Sequence, residues 1–316
     1  MKNILRVIGP FLAAAVVLAS CGRDDDIRAI DARVHTLYEQ KRYDEAVKEA
    51  EKLLKASEKR FGKDSTSLVP PLYNLAGLYR TTGRVRESVP IYQRLVAIYE
   101  KQNGASHSQT LRMVHELATV QMSLKNYDEV ETLVRRIAEA REKNPESTDL
   151  ELASAWNNWG YLYLVEKRTD EAEALFKKSL ERLEKNPDGN RDYLDATLSH
   201  LAFLYRGAAR TDEALAILDQ IVELRKKQAG TDSPIVATAY NNMGLLLNEA
   251  GRPDEAVARY QQAVAILEKD PENRKDLVVT LENWAALLDG TGKTAEAAAL
   301  RERINKEKTQ EPLKKP

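Results

Sequence analysis

YNNMGLLLNEAGRPDEAVARYQQAVAIL, residues 240–267, is the stretch from which the fold can be read. Tyr240, Met243, Gly244 and Leu247 recur at i, i+3, i+4 and i+7, the apolar stripe of a core-facing helix. Gly251-Arg252 interrupts that helix as a turn, and a second stripe follows at Ala256, Tyr260 and Ala263. The segment therefore reads as two amphipathic helices folded back on each other.

Working outward, the PDEAV mark at Pro253 has counterparts at Tyr43, Val85, Tyr127, Thr169 and Thr211, each step being 42 residues. A degenerate copy, TAEAA, begins 41 residues further on at Thr294. The second copy carries Leu72, Leu75, Ala76 and Tyr79, then Gly83, then Ser88, Tyr92, Leu95 and Val96. The fourth carries Trp156, Trp159, Gly160 and Tyr163, then Ala172, Phe176 and Leu180. Ala76, Ala118, Gly160, Ala202, Gly244 and Ala285 are small where the two helices of a unit meet. A fixed period of this length predicts a solenoid, in which each unit contacts only its neighbours and a long surface is offered for binding. Hairpin turns are expected near residues 40–43, 82–85, 124–127, 166–169, 208–211, 250–253 and 290–294.

Large, small and aromatic residues in helix one, then Ala and an aromatic in helix two, resemble the tetratricopeptide repeat (TPR) family. That family's unit is about 34 residues, and the extra length here follows helix two, in Phe61–Ser67, Gly104–Ser108 and Gly230–Pro234. With Asn157-Asn158 and Asn241-Asn242 in helix one, the units resemble the 42-residue TPR variety of kinesin light chains. The resemblance implies an all-α, right-handed superhelix of about seven helix-turn-helix repeats over residues 29–306, followed by a flexible tail, 307–316. It also implies a protein or peptide partner held in a concave groove, without catalysis. Asp31 and Arg33 at one end, and Arg301 at the other, suit the polar faces of capping repeats.

The first twenty residues read differently. Lys2 and Arg6 precede an apolar run, Val7 to Leu18, too short for the roughly 20 residues of a spanning helix. The Leu18-Ala19-Ser20-Cys21 that follows resembles a lipobox, which implies acylation of Cys21, the only cysteine in the chain. Residues 1–20 are then a lipoprotein signal peptide and 21–28 the lipidated cysteine with a polar tether. Several acyl chains anchor a protein stably where one is marginal. Gly22 at the second mature position resembles outer-membrane lipoproteins. The expected location is the bacterial cell envelope, on the periplasmic face of the outer membrane. Taking Lys2 and Arg6 from the 48 basic residues leaves 46 against 49 acidic ones, near −3, with no basic block to suit nucleic acid.

No catalytic, cofactor or metal motif is legible. Asp289-Gly-Thr-Gly-Lys-Thr294 lacks the first glycine of a P-loop, Leu287 standing in its place, and aligns with the inter-helix turns. His35, His107, His115 and His200 have no metal-ligand spacing, and no Gly-x-Ser-x-Gly segment is present. A small-molecule substrate is not expected.

Asparagines supply the candidate site. Asn74, Asn158, Asn242 and Asn283 stand two residues before the small helix-one position, with Glu116 and His200 in the intervening copies. Asn157 and Asn241 are adjacent, and Arg80, Tyr161, Arg206 and Asn248 lie a turn further on. In the TPR families this chain resembles, that side is the groove, and its asparagines hold the backbone of an extended peptide. An amide offers two donors and an acceptor. It could equally bridge neighbouring repeats as a ladder, and the two readings are compatible. No lysine occupies these positions, against the lysine-rich grooves that clamp a terminal carboxylate. The principal reading is a membrane-anchored TPR scaffold for another envelope protein. The alternative is a lipid-anchored accessory or enzyme of envelope assembly or secretion, pilotin-like or partnered with a cell-wall enzyme.

Overall fold

The computed structural model describes residues 22–309, with side chains from Asp26 onward. Cys21, the signal segment and residues 310–316 lie outside the described residues. Every regular element among the described residues is helical. The chain divides into two compact units, residues 1–146 and 147–316. The sequence predicts one array; the division follows from packing in which a repeat touches only its neighbours, so no shared core gathers all the hairpins.

The first unit contains three hairpins: α1 (Gly22–Glu39) with α2 (Tyr43–Phe61), α3 (Val69–Thr81) with α4 (Val85–Asn103), and α5 (Ser108–Ser123) with α6 (Tyr127–Lys143). The second contains four: α7 (Asp149–Val165) with α8 (Thr169–Leu183), α9 (Arg191–Gly207) with α10 (Thr211–Ala229), α11 (Pro234–Glu249) with α12 (Pro253–Leu267), and α13 (Arg274–Gly290) with α14 (Thr294–Thr309). All seven turns fall where the period places them. The ends differ from expectation. Helix α1 already runs through the expected tether, because Ile27 joins Val34 and Leu37 in the core stripe of the first hairpin. Helix α14 runs into the expected tail, where Glu307 meets Arg274 at 3.5 Å.

One backbone device makes every hairpin. Lys41, Gly83, Lys125, Lys167, Ala209, Gly251 and Gly292 all have φ between 55° and 78°, the left-handed conformation that ends a helix. At six of the seven turns the next N–H bonds the carbonyl five residues back, as Arg252 does to Leu247 at 2.9 Å, the outer bond of a Schellman cap. Four of these positions carry a side chain, so the turn is imposed by the packing of the helices it joins and does not require glycine.

Two hairpins of the second unit close over a glycine of their first helix. A Cβ at Gly244 would lie 2.6 Å from Cε1 of the fully buried Tyr260, and one at Gly160 would lie 2.9 Å from Cε1 of Phe176. Both distances are inside van der Waals contact, so the rings of α12 and α8 rest on bare backbone. Gly244→Ala is expected to destabilise the protein by about 1–3 kcal/mol, the range for overpacking a filled core. Urea denaturation measures it, and an unchanged midpoint would show that the ring moves aside freely.

Candidate binding face

In the second unit the first helices of the hairpins (α7, α9, α11, α13) form one layer and the second helices (α8, α10, α12, α14) the other. Helix α7 packs directly on α9 and α11 on α13, whereas α8, α10 and α12 reach the next hairpin mainly through its first helix. The first-helix layer is therefore the more closely spaced one, and its exposed side is the inner face of this unit. Asn157, Asn158, Tyr161, His200, Arg206, Asn241, Asn242, Asn248 and Asn283 all lie on these helices.

The structure separates these residues into two groups. Asn157 accepts at Oδ1 from Thr197 Oγ1 (3.2 Å) and lies 3.1 Å from His200 Nδ1. The His200 imidazole lies between the rings of Tyr161 and Phe176, with centroids 5.3 and 5.2 Å away. Two repeats on, Asn241 is 9% exposed and accepts from Asn283 Nδ2 at 2.9 Å. These links join consecutive repeats and form the ladder. Arg206 also crosses to the next repeat, where Nε donates to Glu249 Oε2 at 2.7 Å. The second group has no such duty. Asn242 and Asn248 are exposed, Asn158 is half-buried, and none of the three forms a side-chain hydrogen bond with the described residues.

In the first unit the two predicted residues turn inward. Asn74, expected on the groove side, is only 8% exposed, lying between the buried Leu72 and Leu75 of α3, so it does not stand open to a partner. Arg80 Nη1 donates to Tyr92 Oη (3.2 Å) and Glu116 Oε2 (3.0 Å), bridging consecutive repeats.

Burial sets the electrostatics. It lowers the His200 pKa to about 4, since its neighbours are rings and an amide that offer no compensating charge. It raises the Tyr260 hydroxyl to about 12, with Glu249 adding to the effect; that hydroxyl is enclosed without a hydrogen-bond partner.

A further set of residues recurs without having been singled out from the sequence. Arg210 follows the left-handed turn residue, pairs with Glu213 and with Glu173 of the preceding hairpin, and lies 4.3 Å over the Tyr205 ring. Tyr205 Oη donates to Glu173 at 3.0 Å, and the Arg210 hydrogen bond, foremost, holds Glu173 down at about 2. Arg84 repeats the arrangement with Glu87, Glu51 and Tyr79. The signal was available as Arg-x-x-Glu at Arg42, Arg84, Arg168, Arg210 and Arg252. Among the described residues no His, Cys, Asp or Glu cluster could hold a metal ion.

The family model of the tetratricopeptide repeat matches residues 26–101, 68–143, 151–227 and 193–269. The chain belongs to the tetratricopeptide repeat family. Among solved structures it is similar to BtubC (BKLC) from P. vanneervenii, at 19% identity and a TM-score of 0.59, over 73% of this chain and 95% of that one. It is similar to kinesin-light-chain TPR-like repeats from Podosopora anserina at 20% identity and 0.54, over 65% and 97%. The apo form of RapI is similar at 14% and 0.56, over 90% and 97%. Such low identities speak for the fold alone. No curated protein matches the chain.

A neutral buried imidazole couples stability to pH. The folded pKa of about 4 lies below the ordinary His value, so between them the unfolded chain binds the extra proton and stability rises with pH. The contribution of His200 is thus full above about pH 6.5 and lost as pH falls toward 4. Urea titrations across that window should show the loss, and His200→Gln should flatten it; an equal slope in the variant would assign the dependence elsewhere.

Proposed function

We propose that this protein is a lipid-anchored, non-catalytic TPR scaffold that holds another envelope protein, or a peptide segment of one, against the inner face of its first-helix layer. The observation that carries the reading is the split among the asparagines. Asn157, Asn241 and Asn283 take part in links between repeats, while the amides of the exposed Asn242 and Asn248 and the half-buried Asn158 have no side-chain partner among the described residues. A side-chain amide donates and accepts together, which suits the alternating N–H and C=O groups of a peptide backbone and requires no particular sequence.

Paired variants separate support from binding. Asn241→Ala leaves the Asn283 amide without its acceptor in a partly dry site and should cost about 1–3 kcal/mol of stability. Asn242→Ala should leave the melting temperature in place and weaken a groove-bound partner by about tenfold or more, the equivalent of 1.4 kcal/mol. Calorimetry on both variants reads the two quantities, and unchanged affinity in Asn242→Ala would end the groove reading.

Anchoring rests on Lys2, Arg6, the apolar run to Leu18 and Leu18-Ala19-Ser20-Cys21. In a Gram-negative host, Cys21→Ser should shift the protein from the membrane to the soluble fraction and abolish incorporation of labelled palmitate. Retention of both by the variant would refute acylation at Cys21.

A further inference from the structure

Helix α2, in the hairpin that directly follows Cys21, carries a row of lysines that the other repeats do not reproduce. Lys48, Lys52, Lys55 and Lys59 stand at i, i+4, i+7 and i+11, so they share one side of the helix, and all four are exposed. The 42-residue step gives the counterparts of the first three places in α4, α6, α8, α10 and α12. There the first is always Pro, Thr or Ala, as at Pro90 and Thr132, and the third always Ala or Glu, as at Ala97 and Glu139. The second is basic in α4, α6 and α8, but Arg94 and Arg136 are engaged there by Glu58 and Glu100 of the preceding hairpin.

The carboxylates beside the row are already taken. Glu45 accepts from Arg42 at 2.7 Å, Glu49 from Lys52 at 2.7 Å, and Glu51 from the Tyr79 hydroxyl at 2.9 Å. Lys48, Lys55 and Lys59 form no ion pair with the described residues. Lys48 only adds, after Arg42, to the field that lowers the Glu45 pKa. Over residues 26–63 the ammonium groups without an ion pair are these three, Lys41 and Lys63. The carboxylates without one are Asp26 and Glu39 on α1 and Asp44, one turn before Lys48. Arg33 of α1 lines the same groove as Lys48, Lys52 and Lys55, and its own contact with Glu49 is long, at 4.0 Å. The whole chain has a formal charge of −1, so this positive excess is local.

Position indicates the occupant. Helix α1 starts at Gly22, the residue after Cys21, and runs through the stretch expected to be a tether. A lipid on Cys21 therefore leaves no spare chain between the bilayer and the first hairpin. Helix α2 runs back along α1, so Lys59 lies toward the end where α1 begins, and the row extends from it for about 17 Å to Lys48. A hairpin held this close brings its ammonium groups within the roughly 10 Å over which charges act in dilute salt. An acidic protein would satisfy the same charge, but the bilayer is the surface that the anchor itself would hold here. We propose that the lysine row of α2 is a second, electrostatic membrane contact, its ammonium groups donating to the phosphates of anionic phospholipids around the anchor. This rests on the anchoring reading above and adds an orientation to it, with the first hairpin laid on the headgroups.

The test uses the protein purified from membranes and reconstituted in phosphatidylcholine vesicles, with or without phosphatidylglycerol. Lysine acetylation read by mass spectrometry should find Lys48, Lys55 and Lys59 shielded on the phosphatidylglycerol vesicles alone, and high salt should expose them again. Lys125, exposed and without an ion pair two hairpins away, should react equally on both. In the full-length Cys21→Ser chain, adding Lys48→Gln, Lys55→Gln and Lys59→Gln should reduce the preference for phosphatidylglycerol on the order of a hundredfold, about fivefold per charge. The thermal melt should not move, because all three side chains stand in water.

Equal reactivity of the three lysines on both kinds of vesicle, in a chain acylated at Cys21, would overturn the inference and leave the anchor intact. Shielding on phosphatidylglycerol in a chain whose Cys21 carries no lipid would support the headgroup contact and refute the anchor. Shielding of Lys125 to the same degree would show general adsorption and overturn the part given to the row. Shielding in isolated envelope membranes but not on protein-free vesicles would assign the row to an acidic protein and overturn the proposed partner.

Discussion

Aromatic rings pressed on bare backbone set the geometry of two hairpins in the second unit. Tyr260 rests on Gly244 and Phe176 on Gly160, both rings fully buried, and both glycines leave no room for a Cβ. That approach draws the two helices of a hairpin together and sends the ring between neighbouring first helices. The same rings then support the first-helix layer. Phe176 lies against His200, and Tyr92, at the equivalent place in the first unit, accepts from Arg80 through its hydroxyl. Side chains of the first-helix layer are therefore positioned from beneath by the contact that closes the hairpin.

Polar links between repeats differ in what they contribute. Many join exposed side chains, such as Arg252 to Asp212 and Lys269 to Asp232, and surface pairs of this kind are worth about 0–1 kcal/mol. Their value is register: one Arg at the start of a second helix meets a carboxylate of the hairpin before it. The shielded links matter more, because a buried group that loses its partner cannot recover it from water. Asn241 with Asn283, and Asn157 with Thr197 and His200, belong to that class. Neighbouring asparagines thus take opposite roles. One side of the helix meets the next repeat and the other meets solvent, so adjacent positions such as Asn241 and Asn242 are separated by the turn of the helix alone.

Much of this was legible in the chain itself. The 42-residue step from Tyr43 to Pro253 determined the helical hairpins and the position of every turn, because each unit repeats the same local problem of two apolar stripes and a stop. It also located the layer bearing the asparagines. Three things required the folded structure. Left-handed turns at Lys41, Lys125, Lys167 and Ala209 carry no glycine to announce them, since helix packing on either side imposes the conformation. Asn74 is enclosed and Asn242 open, although both stand two before a small residue, because exposure depends on the neighbouring repeat's side chains. The division between bridging and free amides depends on distances across repeats, which a one-dimensional pattern does not contain. Periodicity in the sequence determined which helices pack and where they turn; only the tertiary contacts decided which polar groups were consumed in holding the repeats together and which stayed open to solvent.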